Sequence, residues 1–352
     1  MTVDKGIVIR NIYYMLSYAF QVLNERQYES IKSEKFDNIA NLCAAILIKG
    51  VSKQLKQGLY QTYIEKVEPL TSLRGKINMP ESIKLLVQHE QRLSCEFDEL
   101  SIDNIYNQII RCTLTALLSH KDVEKENKQS LKRLSGYFNN VSFLEGKGID
   151  WTRLQYRRDN RNYMMLMNIC YFVWHDLLLS TDEGTFKMMT FGDETMSRLY
   201  EKFILEFYRK HFPELHAMPS QVKWDLKEDP ATIQFLPKMN TDITLTDSNS
   251  GRTLIIDAKY YGKTLSTGLH GKKMFHTNNL YQLYAYVKNH DAQQTGNTSG
   301  MLLYAKTEED ITPDESFTFG ANRFSVKTLD LNCEFEEIKE QLSKIAVSLK
   351  TN

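Results

Sequence analysis

Thr241-Asp242-Ile243-Thr244-Leu245-Thr246-Asp247-Ser248-Asn249-Ser250-Gly251-Arg252-Thr253-Leu254-Ile255-Ile256-Asp257-Ala258-Lys259-Tyr260-Tyr261-Gly262 is the stretch on which the fold turns. Two runs of β-forming residues flank Asp247 to Gly251, a cluster of turn formers, so a hairpin is expected. Asp257 and Lys259 are two apart on the second strand and project from one face. Asp242 opens the first strand. With an even number of residues in the loop, opposed positions have an odd sum, and Asp242 and Asp257 meet that condition. Two carboxylates and an amine then gather at one end of a sheet, beside the apolar Ile255 and Ile256.

Charges next to an apolar strand are costly unless they are paired or hold a metal. A hard divalent cation suits this trio, because Mg²⁺ takes one or two carboxylates, keeps several waters and leaves room for a phosphate oxygen. Lys259 is placed to position or deprotonate a water, or to stabilise developing negative charge. D-x-K triplets are common and usually form exposed ion pairs. The apolar run before this one and the paired upstream Asp set it apart.

Outward from the hairpin, the order of elements is that of an α/β layer structure. Residues 197–212 form an amphipathic helix, 221–226, 241–246 and 253–260 strands, 274–290 a helix and 300–305 a strand. The helix after the hairpin carries Gln282 and Tyr286 on one face, four residues apart. Glu201 lies on the preceding helix, on a stripe with Leu205 and Tyr208. Each of these three is unremarkable singly, and only the constellation gives it interest. The segment from Lys263 to Lys273, with Gly262, Gly268 and Gly271, reads as a basic loop near the site, in contact with DNA or simply solvated.

Towards the N-terminus, helices are expected over 7–23, 37–57, 102–120 and 161–180, and β-formers occupy 58–70 and 90–97 around the turn Leu73-Arg74-Gly75-Lys76. The polar stretch 120–130 is a loop or a helix start. A length of 352 residues exceeds one ordinary core. Two domains are therefore expected: an α+β domain over 1–155, and an α/β domain over 156–352 with a central mixed sheet flanked by helices.

The composition, 42% hydrophobic and 25% charged, excludes extended disorder. The 44 basic residues balance 44 acidic ones, so the chain as a whole has no attraction for polyphosphate. Five scattered cysteines support neither a disulfide framework nor a zinc site. The start lacks a signal-peptide core and no apolar run reaches membrane-span length, so no membrane contact and a cytoplasmic location are expected. No GxxxxGK[ST] phosphate loop is present.

Three motif groups, Thr241-Asp242, Ile256-Asp257-Ala258-Lys259-Tyr260-Tyr261 and Asn279-Leu280-Tyr281-Gln282-Leu283-Tyr284, together resemble the McrC family. These are the nuclease subunits of the McrBC modification-dependent restriction systems, within the broader PD-(D/E)xK nucleases that carry a Q-x-x-x-Y helix. Ile9-Arg10-Asn11-Ile12-Tyr13-Tyr14-Met15-Leu16 and Leu73-Arg74-Gly75-Lys76-Ile77 extend the likeness over nearly the whole chain. The resemblance implies a PD-(D/E)xK nuclease domain over 156–352, with Asp242, Asp257 and the carbonyl of Ala258 binding Mg²⁺ and Lys259 as the catalytic lysine. Gln282, together with Tyr286, would orient phosphate or the attacking water, and Glu201 joins the catalytic candidates. Asp242 follows Thr241 rather than Pro, a variation that the McrC family shares.

The resemblance further implies a McrB-like AAA+ ring that binds GTP and delivers methylated double-stranded DNA. The N-terminal domain would dock on that ring, with Arg74 and Lys76 as candidate contacts, and self-association through the nuclease domain is left open. The implied activity is a type IV restriction endonuclease in antiviral defence, which also stimulates its partner's GTPase. Two rivals stand beside it: a non-catalytic GTPase activator with a degenerate nuclease fold, and a standalone DNA-repair nuclease.

Overall fold

The computed structural model describes residues 3–4, 7–25, 28–34, 36–144, 149–160, 162–177, 193–226, 235–260, 265–267, 273–306 and 312–351. Residues Met1–Leu42 and His175–Asn352 form one compact unit, and Cys43–Trp174 form the other. A single cut near residue 155 had been expected; instead, the first 42 residues lie with the C-terminal part of the chain.

Long-range packing accounts for that difference. The helix Ile9–Ala19 buries Ile9, Ile12, Met15 and Leu16 on the C-terminal unit. Asn11, itself buried, donates its side-chain amide to the carbonyls of Leu331 (2.9 Å) and Cys333 (2.8 Å). Tyr14 stacks on Phe335 at 4.3 Å, and Tyr18 meets Phe203 edge-on at 5.4 Å. Unpaired, those two carbonyls and the Asn11 amide would each cost about 1–3 kcal/mol, so this contact fixes the helix in place.

The C-terminal unit is α/β. Its mixed sheet has five strands in the order Glu315–Phe319, Asn322–Asp330, Thr298–Lys306, Thr253–Lys259, Ile243–Thr246. The three central strands are parallel and both edge strands antiparallel. Thr253 to Ala258 are all buried, as expected of a strand covered on both faces.

On one face, the helix Thr277–His290 sets Leu283, Tyr286 and Val287 against Ile255, Leu302, Phe324 and Val326. Gly300 makes this approach possible, since a Cβ there would lie 2.8 Å from Val287 Cγ2. The other face carries the helices Asp193–His211 and Phe335–Thr351, which are joined by the Tyr208 hydroxyl donating to the Leu342 carbonyl at 3.1 Å. Residues 221–226 were expected as one strand, and the strand covers only Gln221–Val222.

The second unit contains a three-stranded antiparallel sheet in the order Thr62–Leu70, Leu93–Ser101, Lys76–Ile77. It also holds the helices Met79–Val87, Ile105–Ser119, Lys125–Ser135 and Tyr163–Phe172. Pro80 sits in the first turn of Met79–Val87, where its missing N–H costs nothing, and Asn78 caps that helix by accepting from the Glu81 N–H. A polar knot ties the segment before the first of these strands to two helices: the Tyr163 hydroxyl donates to Asn107 Oδ1 and accepts from the Tyr60 N–H, both at 2.9 Å. Among the described residues, no helix is long and apolar enough to cross a membrane.

Candidate functional site

The hairpin forms with the parity its turn demands. Ile243 pairs with Ile256 and Thr246 with Thr253, leaving six residues in the loop. The Asp247 carboxylate accepts from the N–H (3.1 Å) and hydroxyl (2.6 Å) of Ser250, which locks the turn. Asp242 lies one residue before the first strand, rather than opening it. Its Oδ2 accepts the Ala258 N–H at 3.0 Å, which brings it to the end of the second strand beside Asp257.

Asp257 is 1% exposed. Lys259 Nζ forms an ion pair with its Oδ2 at 3.0 Å, and Oδ1 has no hydrogen-bond partner. Burial raises the Asp257 carboxyl well above the usual range, against the pull of Lys259 and with a further push from Asp242. Asp242 is raised by burial too, with Lys259 and the Ala258 N–H opposing. Glu201 is pushed up to about 7, first by burial and then by the charge of Asp242. The three carboxyl groups thus form one electrostatic unit, although among the described residues no three His, Cys, Asp or Glu side chains form a ready metal cluster.

A buried carboxylate held at one oxygen by Lys259 alone, with the other oxygen unpartnered and a second acid beside it, is what a divalent cation would satisfy. The side-chain donors, the Asp242 and Asp257 carboxylates, are hard. They fit Mg²⁺, which is commonly held by one or two carboxylates and completes its shell with water.

Strand alternation puts Ile255, Asp257 and Lys259 on the face covered by the helix Thr277–His290. That helix supplies Gln282, whose amide donates to the Tyr286 hydroxyl at 2.8 Å. The pair is joined to itself rather than to the carboxylates, and Tyr286, 7% exposed, is a core residue packed with Ile255. One further residue, Tyr304, was not singled out from the sequence. Tyr304 pairs with Lys259 in the parallel register, and its buried hydroxyl accepts from Asn279 Nδ2 at 3.0 Å. Tyr304 ends an apolar strand and reads locally as core; its signal lies only in the pairing with Lys259.

Gly75, at the turn of the second unit, has φ +68°, and a Cβ there would lie 2.3 Å from the Glu96 carbonyl oxygen, so glycine is required. Arg74 is not a free finger: its guanidinium lies 4.0 Å from the centre of the Phe97 ring and 3.5 Å from Glu99. Lys76 pairs across the sheet with Glu96. Most of the expected basic loop falls at 261–264 and 268–272, outside the described residues.

Type IV methyl-directed restriction enzyme EcoKMcrBC of Escherichia coli (strain K12) is 28% identical to this chain over 344 residues, spanning 96% of this chain and 97% of its own length. A chain from the refined half-complex of the tetradecameric assembly of Thermococcus gammatolerans McrB AAA+ hexamers with bound McrC has a similar fold. It superposes with a TM-score of 0.50 at 16% identity, over 94% of this chain and 76% of that one. The family described as McrBC 5-methylcytosine restriction system component matches residues 4–305. This chain therefore belongs to the McrBC 5-methylcytosine restriction system component family.

Proposed function

We propose that this chain is the Mg²⁺-dependent DNA endonuclease subunit of a GTP-dependent, methylcytosine-directed restriction complex. Its C-terminal unit is read as a PD-(D/E)xK nuclease fold. The observation that carries the reading is Asp257: a buried carboxylate beside Asp242, paired with Lys259 at 3.0 Å through one oxygen and unpartnered at the other.

Asp242, Asp257 and the Ala258 carbonyl would hold the metal. Mg²⁺, when bound, supplies Lewis-acid stabilisation of the charge that builds on a phosphodiester. Lys259 Nζ carries three donors at the same point and can bind a non-bridging phosphate oxygen, stabilising negative charge as water attacks. Glu201, with its carboxyl near neutrality, can take up a proton at the rim of the site. Gln282, oriented by Tyr286, would aim its remaining donor and acceptor at substrate or water.

GTP binding is assigned to a McrB-like AAA+ partner, in line with the assembly that the similar structure contains. The Cys43–Trp174 unit is read as the docking part. The turn at Leu73 and the helix Met79–Val87 expose Leu73, Met79, Ile83, Leu86 and Val87, apolar side chains of the kind that mark protein contacts. Activation of the GTPase and DNA cleavage are then tasks of different parts of one chain.

The test is cleavage of methylated and unmethylated plasmid by this chain, with and without its cognate GTPase, in GTP and Mg²⁺. Cutting that needs methylation, partner, GTP and Mg²⁺ together is expected. A chain that stimulates GTP hydrolysis yet never cuts would be a non-catalytic activator. Cutting without the partner would make it a standalone nuclease.

A further inference from the structure

A cluster of cations lies on the face of the C-terminal sheet turned away from Asp257. Strand parity places it there. Leu254 points opposite to Ile255, and the parallel register carries Ser299 to the same side as Leu254. Met301 pairs with Ser325, and Ser325 with Ser316 of the edge strand, so these positions continue that side.

Ser299, Ser325 and Ser316 line a groove of about 420 Å³ together with Arg252, Arg323 and Lys327. The covered side of a sheet is ordinarily apolar. Here the last turn of the helix Phe335–Thr351 borders the groove with Ser348 and Leu349, and hydroxyls and cations share the lining with the buried Leu254 and Met301. Among the described residues, Arg252 and Arg323 make no ion pair, while Lys327 is bonded to the exposed Asp314 at 2.6 Å. Among the described residues, no carboxylate lines the groove. In a chain with balanced charge this is a local surplus of positive charge, and clustered cations repel unless an anion joins them.

We propose that this groove holds the phosphodiester backbone of a DNA segment other than the one at the carboxylates. Guanidinium forks match phosphate oxygens, and serine hydroxyls donate to the oxygens that remain. The cations and serine hydroxyls of the lining suit phosphate oxygens, so the contact is read as one that positions DNA rather than specifying its sequence. The segment is a separate one because Leu254 and Asp257 are about 10 Å apart along the strand and face opposite sides of the sheet. The inference rests on reading the chain as one that acts on DNA.

The experiment measures anisotropy of a labelled duplex titrated with the full-length chain at low ionic strength and across a salt series. Arg252→Ala/Arg323→Ala is compared with wild type, and Arg252→Lys/Arg323→Lys is included to separate charge from fork geometry. The alanine pair is expected to weaken binding at least several-fold and to make the salt slope shallower by about 2, one unit per lost phosphate contact. The lysine pair should keep the slope and lose part of the affinity. Equal binding by wild type and alanine pair overturns the proposal, and so does weaker binding at an unchanged slope. Wild-type chain that ignores the duplex while binding inorganic triphosphate through these arginines overturns it as well, in favour of a small-anion site. Cleavage by the reconstituted complex is read separately, so failure of the nuclease reading remains distinguishable from failure of this one.

Discussion

Asp242 Oδ2 accepts the backbone N–H of Ala258 at 3.0 Å, so the carboxylate that completes the acidic pair also clamps the end of the strand that carries Asp257. The two tasks separate by substitution. Asp242→Asn keeps an acceptor for Ala258 and loses the charge, whereas Asp242→Ala loses both. Both variants should be inactive in cleavage, and the alanine form should be less stable than the asparagine form by about 1 kcal/mol, measured by denaturant unfolding. Equal stabilities would remove the clamp from the account.

Stability should depend on pH through the same groups. Asp242, Asp257 and Glu201 all have folded pKa values above their unfolded ones, mainly because of burial. A raised carboxyl binds its proton more tightly in the folded state. Folding is therefore unpenalised below the unfolded pKa and loses stability as pH climbs from about 4 towards 7. Without metal, Asp257→Asn should be more stable than wild type at pH 8, by on the order of 1–3 kcal/mol, with the gap closing near pH 4. Added Mg²⁺ should raise the melting temperature of wild type and not of the variant. A gap that does not change with pH would contradict this.

The N-terminal helix should be inseparable from the C-terminal unit. Asn11→Ala leaves the carbonyls of Leu331 and Cys333 without their donor and should cost about 1–3 kcal/mol in chemical denaturation. A C-terminal fragment lacking the first 42 residues should fail to show a cooperative transition. If that fragment melts as sharply as the whole chain, the helix is an accessory.

The Leu73-Arg74-Gly75-Lys76 turn should act on the partner. Arg74→Ala/Lys76→Ala is expected to lower GTP turnover of the reconstituted complex several-fold, since cations on a rigid exposed turn can reach a nucleotide phosphate or an acidic surface. The seat of Arg74 on Phe97 and near Glu99 gives a rival outcome. Unchanged stimulation, with the complex still assembling, would leave the turn a purely structural device.

Much of the site was legible because its determinants are local. The turn residues from Asp247 to Gly251 announced the hairpin, and the parity of its loop placed Asp242 beside Asp257. The Gln282 and Tyr286 pair followed from helical spacing. What stayed hidden depends on distant partners. Asn11 reaches carbonyls 320 and 322 residues away, and no periodicity in Ile9–Ala19 says which core that helix completes. Tyr304 gains its place only through its pairing with Lys259. The helix Met79–Val87 was not among the expected elements; its Pro80 falls in the first helical turn, where it does not disrupt.

The central claim is that Asp257 serves chemistry rather than packing, and one variant tests it. Asp257→Ala should be assembled with the GTPase partner on methylated DNA in GTP and Mg²⁺, with strand cleavage and GTP turnover followed in the same reaction. The account predicts a loss of cutting of at least about a hundredfold, while GTPase stimulation stays at the wild-type level. A variant that retains most of its cleavage would contradict the placement of the active site at Asp242, Asp257 and Lys259.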